Sequence, residues 1–147
     1  MHHRFTFHEE APEAYKAVRG LEDYIRANVE HTLLHLIKLR ASVVNGCSFC
    51  VDMHTRDALA DGEDARRLFA VSAWREAPFF DERERAALAL TDAVTELGPD
   101  GVPDDVWDPV AALWDRKAIA DLLTAIATIN VWNRLMVSTR TPPPVTA

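Results

Sequence analysis

The spacing of apolar residues constrains the fold of this chain more than any other feature. Through most of its 147 residues, apolar side chains recur every three or four positions, and only short segments show the two-residue alternation of strands. Glycine, which weakens helices, occurs five times. The pattern predicts an all-α fold. Because the length matches the usual size of one domain, we expect residues 1–147 to form a single domain.

Helix start and stop signals divide the chain into a series of predicted helices. They cover residues 12–28, 33–44, 47–60, 63–72, 81–97, 103–114 and 117–139. Asp81, three residues before Glu84, favours a capping arrangement at a helix start, and Asn45-Gly46 supplies residue types that tolerate a left-handed helix end. Three consecutive prolines lie in residues 141–147, where we expect a flexible tail.

Two of these helices carry informative apolar patterns. The first predicted helix has an apolar stripe made of Tyr15, Val18, Leu21 and Ile25. The last one is the longest apolar-rich run, so we expect it to be buried on several sides, either at the centre of the domain or at a subunit interface. We therefore expect a homo-oligomer.

Charge and composition exclude several classes of protein. The formal net charge of −7 opposes binding to the phosphate backbone of nucleic acid. No segment approaches the ~20 apolar residues of a membrane span, and residues 1–10 do not resemble a signal peptide, so we expect a cytoplasmic protein. The two cysteines, three positions apart, cannot form a structural disulfide framework. In a reducing compartment they indicate redox chemistry or metal binding.

Cys47, Cys50 and His54 are the candidate catalytic residues. Their spacing of three and four positions places all three on one face of a helix that begins near Cys47. The N–H groups and dipole of a helix start stabilise a thiolate. His54 could take a proton from Cys50, which would then attack a peroxide, and Cys47, expected to be more accessible at the helix tip, would close a disulfide. The alternative is an incidental pair of buried cysteines.

The segment from His35 to His54 resembles the core motif of the alkylhydroperoxidase D-like (AhpD-like) branch of the carboxymuconolactone decarboxylase family. That motif has a glutamate, eleven residues, a CxxC pair and a histidine four residues further on; the core of the resemblance here is residues 33–60. Similarity also extends to residues 11–17, 68–78, 82–88 and 127–134.

The resemblance implies a function as well as a fold. It implies an AhpD-like helical domain of about six to seven helices that assembles as trimers or hexamers. It also implies a peroxidase that reduces organic hydroperoxides or H2O2 without a cofactor. The partner would be a dithiol reductant, either a lipoyl-bearing or a thioredoxin-like protein. The decarboxylase branch is less consistent with this chain, because that branch does not use the cysteine pair.

His35 departs from the family pattern, because it occupies the position of the glutamate, twelve residues before Cys47. We retain His35 as a candidate catalytic residue, since an imidazole can act as a base near neutral pH. Three carboxylates could substitute for the glutamate: Glu30, Asp52 and Asp57. The departure could equally mean that turnover is lost and that the chain is a non-catalytic oligomer of the same fold, or a general disulfide oxidoreductase.

The same histidine raises a metal-binding alternative. Cys47, Cys50, His54 and His35 form a potential Cys₂His₂ zinc set, with His31 as a further candidate ligand. Other polar and aromatic residues have less specific interpretations. Trp74, Trp107, Trp114 and Trp132 could line a substrate pocket, but packing is the better interpretation. For Asn130, Asn133 and Arg134, bonds between helices are more typical than substrate contacts.

Overall fold

The computed structural model describes residues 1–145, and this part of the chain is all-α, as predicted. The helices are α1 (Phe7–Glu10), α2 (Pro12–Asn28), α3 (His31–Val44), α4 (Ser48–Ala60), α5 (Ala65–Ala70), α6 (Glu82–Thr95), α7 (Asp104–Leu113) and α8 (Arg116–Thr139). A 3₁₀ turn, Val71–Ala73, follows α5. Within residues 1–145 there is no β-strand, only an isolated bridge between Gly98 and Gly101.

Local chemistry explains where the helices begin and end. Pro12 occupies the first turn of α2, where its missing N–H costs nothing. Asp81 and Glu84 form a complete capping box at the start of α6, as their spacing predicts. The short helix α1 was not predicted, because its four residues carry no helical period and no side chain caps it. Residues 141–145 form no helix, and the last two residues of the expected tail lie outside the described range.

Helix α3 lies at the centre and packs against α4, α6 and α8, while α2 packs on α8. One face of α3 contributes to a core shared with α2, α6 and α8, and the other to a smaller core shared with α4 and α6. The largest fully buried apolar side chains are Ile25, Leu36, Ile37, Leu88, Leu90, Ile126 and Ile129. Because α3 packs against three helices, it holds the α3–α4 junction in a fixed position. Cys47 lies at this junction, and Cys50 lies in the first turn of α4.

The buried face of α2 differs from the predicted stripe at one position. Leu21 is 43% exposed, whereas Glu22 is 3% exposed. The less exposed positions along α2 and just after it are 15, 18, 22, 25 and 29. Their steps alternate between three and four residues, so position 22 lies on the buried face and position 21 does not. The prediction of Leu21 as a core residue was therefore wrong. A carboxylate occupies that core position.

Polar side chains connect the helices around this core. Asn130 on α8 donates to Thr95 at the end of α6 and accepts from Asn45 after α3, while Arg134 bonds back to Asn130. These bonds confirm that Asn130 ties helices together, whereas the hydrogen bonds of Arg134 stay within α8, so the prediction for Arg134 was wrong. Across residues 1–145, no helix combines the length and apolar character needed to cross a membrane.

Candidate functional site

The junction between α3 and α4 positions the cysteine pair. Gly46 adopts a φ of 63°, a left-handed conformation that glycine accepts without strain and that turns the chain out of α3. The Cys47 N–H then donates to the Ser42 carbonyl at 2.9 Å, and Cys47 becomes the N-cap residue of α4. Cys50 and His54 follow on the buried face of the same helix. The predicted grouping of Cys47, Cys50 and His54 is therefore present.

Both cysteines are free thiols, and both are buried, with exposed fractions of 1% for Cys47 and 0% for Cys50. The expectation that Cys47 would be the accessible sulfur was wrong. The reason is the packing of α8 over the α3–α4 junction, where Asn133 of α8 bonds to Ser42 and Asn45. Reduction of a disulfide here therefore requires that a reductant reach the site through a cavity or a local opening.

The two thiols have opposite acidities. A hydrogen bond from the Cys50 thiol lowers the pKa of Cys47 to about 7, despite an opposing effect of burial, and the N–H groups of Phe49 and Cys50 at the helix start add to this lowering. The same hydrogen bond, together with burial and the charge of Cys47, raises the pKa of Cys50 above its usual value. In the reduced protein the thiolate therefore forms on Cys47, which is about half ionised near pH 7, while Cys50 keeps its proton.

Asn133 on α8 adds a polar contact to this pair. It is fully buried, and its side-chain hydrogen bonds lower the pKa of both cysteines. Its amide also bonds to Ser42 and Asn45, so it connects the thiol pair to the polar ties between helices. The sequence predicted that Asn133 bonds helices to one another. The structure adds its side-chain hydrogen bonds to Cys47 and Cys50.

Replacing Asn133 by leucine should raise the pKa of Cys47 by about one unit or less, since a single hydrogen bond contributes about 0.5–1.5 kcal/mol. Thiolate absorbance followed against pH would measure the shift. Thr128→Val is the matched control, because Thr128 is a buried polar residue of α8 whose hydroxyl bonds only to its own helix. An equal shift in both variants would show that the Asn133 contact does not stabilise the thiolate.

His54 is a neutral imidazole in a buried position. Burial lowers its pKa to about 3, and the charge of Lys38 adds to this lowering, while Glu22 acts in the opposite direction. Its Nε2 atom is buried without a hydrogen-bond partner, and its Nδ1 lies 3.9 Å from the Asp57 carboxylate, too far for a hydrogen bond. A buried imidazole nitrogen without a partner is costly, so this atom is available to a ligand or a reacting group.

A cavity of about 290 Å³ adjoins Cys50 and His54, and we call it the thiol cavity. Its apolar lining consists of Phe7, Tyr15, Phe49, Met53, Trp132 and Met136. Its polar lining consists of Thr6, His8, Arg19, Glu22, Arg26, Cys50, His54 and Thr141. Most of the lining atoms are apolar, with polar groups at the thiol and along α2, as is typical of pockets for small organic molecules.

A buried ion pair borders this cavity. Glu22 of α2 accepts hydrogen bonds from Lys38 of α3 and, at 3.1 Å, from Arg26. Lys38 is only 4% exposed. Burial alone would raise the pKa of Glu22, but the hydrogen bonds and charges of Lys38 and Arg26 outweigh it and lower that pKa. The lowered pKa favours the ionised carboxylate of Glu22 beside His54, while burial lowers the pKa of Lys38 and Glu22 opposes that lowering.

His35 lies apart from the cysteines. Its Nε2 is 2.8 Å from the Asp61 carboxylate, and it lines a second cavity, on the α3–α4 side of His54, that does not reach either sulfur. The three substitute carboxylates have separate places: Glu30 caps α3, Asp52 pairs with Arg56, and Asp57 faces His54 at 3.9 Å. The structure thus brings His35 near His54 but not to Cys50.

The proposed zinc ligands are not gathered into a metal site. Within residues 1–145 there is no group of three or more histidine, cysteine or acidic side chains arranged to hold a metal ion. His31 and His35 border the second cavity, which neither cysteine lines, whereas Cys50 lines the thiol cavity.

Sequence reasoning missed two residues of this site, and for a third, Trp132, it preferred packing over the alternative of lining a pocket. Glu22 and Lys38 were overlooked, although the period of the buried positions on α2 points to Glu22. Trp132 packs partly against the core and also lines the thiol cavity, whereas Trp74 and Trp114 serve as packing anchors. Nothing in the sequence alone brings positions 132 and 50 to one cavity, since this depends on how α8 packs against α4.

Comparisons with known proteins agree with this architecture. The model of the carboxymuconolactone decarboxylase family matches residues 9–93. The uncharacterized protein YdfG of Bacillus subtilis (strain 168) is 37% identical over 139 residues, which cover 94% of this chain and 95% of that protein. A crystal structure of an Agrobacterium tumefaciens protein of unknown function, described as a candidate AhpD antioxidant defence protein, superposes with a TM-score of 0.95 at 42% identity, covering 99% and 100% of the two chains. The debrominase Bmp8 shares the fold alone, with a TM-score of 0.83 at 22% identity over 93% of this chain and 74% of that one.

Proposed function

Because this chain belongs to the carboxymuconolactone decarboxylase family and has an AhpD-like fold, we propose that it is a thiol peroxidase that reduces organic hydroperoxides. The observation that carries the proposal is the thiol cavity. Cys50 and His54 line the same mostly apolar space, and the Nε2 atom of His54 is buried without a hydrogen-bond partner. A reactive sulfur, a free proton acceptor and a lining for an organic group are the components that this reaction needs.

In the proposed first step, the neutral imidazole of His54 takes the proton of the Cys50 thiol. The resulting thiolate attacks the terminal oxygen of the hydroperoxide, and the O–O bond breaks to give a Cys50 sulfenic acid and an alkoxide. His54 returns the proton to the alkoxide, which leaves as an alcohol. The raised pKa of Cys50 makes a base necessary, but the lowered pKa of His54 opposes the first proton transfer and favours the second. The proposal therefore couples removal of the thiol proton to attack on the peroxide, so that the imidazolium returns its proton as the O–O bond breaks.

In the second step, the Cys47 thiolate attacks the sulfenic acid sulfur of Cys50 and forms a disulfide, while hydroxide leaves and is protonated to water. The lowered pKa of Cys47 suits this role, because about half of it is thiolate near pH 7 without any base. An external dithiol then reduces the disulfide. A lipoyl-bearing or thioredoxin-like protein is the proposed reductant, and the proposed cycle uses no cofactor.

The size and lining of the cavity define the proposed substrate. Its volume of about 290 Å³ is at the lower limit of typical ligand pockets, which span about 300–1,000 Å³. The aromatic and methionine side chains favour a small apolar or aromatic group beside the hydroperoxide over H2O2 alone. His35, bonded to Asp61 outside this cavity, remains a predicted relay residue that would act only through His54.

The test is turnover of a small aromatic hydroperoxide with excess dihydrolipoamide. We expect steady consumption by the native protein, and a fall of roughly 100-fold in His54→Gln, the lower end of general acid–base contributions. His31→Gln is the matched control, because His31 lies at the exposed start of α3 and outside the thiol cavity. If the native protein consumes no hydroperoxide with either dihydrolipoamide or thioredoxin, the peroxidase proposal is wrong.

A further inference from the structure

The proposed cycle does not use the Glu22–Lys38 pair, although the pair lies beside its base. We propose that this pair sets the protonation of His54: Glu22 stabilises the imidazolium that forms when His54 takes the Cys50 proton, and Lys38 limits how long that imidazolium persists. This inference rests on the proposed peroxidase function. Glu22 and Lys38 are positioning residues here, because they act on the reacting atoms through His54.

The placement of Glu22 is the first argument. A carboxylate on the buried face of α2 costs more free energy than an apolar residue at the same position, even when it is paired. One of its oxygens, Oε1, accepts from both Lys38 and Arg26, while Oε2 faces only the Trp132 indole N–H, at a long 3.4 Å. Oε2 thus keeps acceptor capacity, and Glu22 lines the thiol cavity together with Cys50 and His54.

The charges around His54 are the second argument. The titratable and charged groups that face it or share its two cavities are Cys50 and Asp57 on α4; Tyr15, Arg19, Glu22 and Arg26 on α2; His31, His35 and Lys38 on α3; His8 on α1; and Asp61 after α4. Most of the carboxylates are solvated: the side chains of Asp57 and Asp61 are 49% and 58% exposed. Glu22 is the buried carboxylate in this set, so water screens its effect on His54 least.

Lys38 and Glu22 have opposite effects on the protonation of the His54 imidazole. Lys38 disfavours a positive His54, and Glu22 favours it, so each compensates part of the other's effect. Burial is the largest cause of the low pKa of His54. Glu22 makes uptake of the Cys50 proton less unfavourable, and Lys38 makes return of that proton to the alkoxide more favourable. The pair therefore keeps both proton transfers accessible in one site.

The test uses two variants with opposite expected effects. Lys38→Met should raise the pKa of His54 by about one unit, measured by NMR titration of its imidazole and assigned with His54→Gln. Glu22→Gln should slow single-turnover disulfide formation with a small aromatic hydroperoxide roughly tenfold, the rate equivalent of one pKa unit, without changing the pH dependence of Cys47 ionisation.

Glu84→Gln is the matched control for loss of a buried carboxylate. Glu84 is 8% exposed and pairs with Arg67, but it lies outside the thiol cavity. An unchanged His54 pKa in Lys38→Met, or equal slowing by Glu22→Gln and Glu84→Gln, would overturn the proposal and leave the pair a structural element. If the native protein does not react with hydroperoxide, the peroxidase function fails, whereas the His54 titration still decides whether the pair controls this imidazole.

Discussion

Cys47→Ser is expected to consume about one hydroperoxide per protein and then stop. The attack by Cys50 needs only Cys50 and His54, but the sulfenic acid that it leaves has no partner thiol to form a disulfide. Removing the Cys47 thiolate also removes a charge that raises the pKa of Cys50, so the single reaction should be at least as fast as in the native protein. Steady-state turnover should fall by about 10³-fold or more, as expected for loss of a covalent step.

Trapping of the sulfenic acid by dimedone, followed by mass spectrometry, would locate the product. The adduct should form on Cys50 in Cys47→Ser, and Cys50→Ser should consume no hydroperoxide. The reverse result, an adduct on Cys47 in Cys50→Ser, would mean that the more acidic sulfur is the one that attacks. The experiment therefore separates two properties that the structure assigns to different sulfurs, the low pKa of Cys47 and the access of Cys50 to the cavity.

The local parts of this structure were predictable because short-range rules control them. The capping box of Asp81 and Glu84, the left-handed turn at Gly46 and the common face of Cys50 and His54 each depend on residues a few positions apart. Such features follow from helix geometry and backbone chemistry, which the sequence shows directly. The all-α fold follows for the same reason.

The contacts that complete the site were less accessible to prediction, because they join helices that are distant in the chain. Glu22 and Lys38 are both unremarkable charged residues in the sequence, and their burial becomes visible only when α2 lies across α3. The burial of Cys47 likewise depends on Asn133, which α8 brings over the α3–α4 junction. Glu22 is a charged residue at a position of α2 where the helical repeat predicts an apolar one. That irregularity is the one sequence signal that indicates a buried polar site.

The protonation of His54 should also limit the stability of the fold in acid. In the unfolded chain this imidazole has an ordinary pKa of 6.5, and burial lowers it to about 3 in the native state. Below pH 6.5 the unfolded chain therefore binds a proton that the native protein does not. Native stability falls as the pH falls, and this contribution continues until about pH 3, where the native His54 is also protonated.

Between pH 7 and pH 4.5, the contribution of His54 amounts to about 2.5 kcal/mol. The free energy of unfolding, measured by denaturant titration, should fall by that much more in the native protein than in His54→Gln, whose amide binds no proton. Carboxylates titrate in both proteins, so the difference between them isolates the imidazole. Equal losses would mean that His54 is protonated in the native state at pH 4.5, and Glu22 would then hold the imidazolium more strongly than Lys38 opposes it.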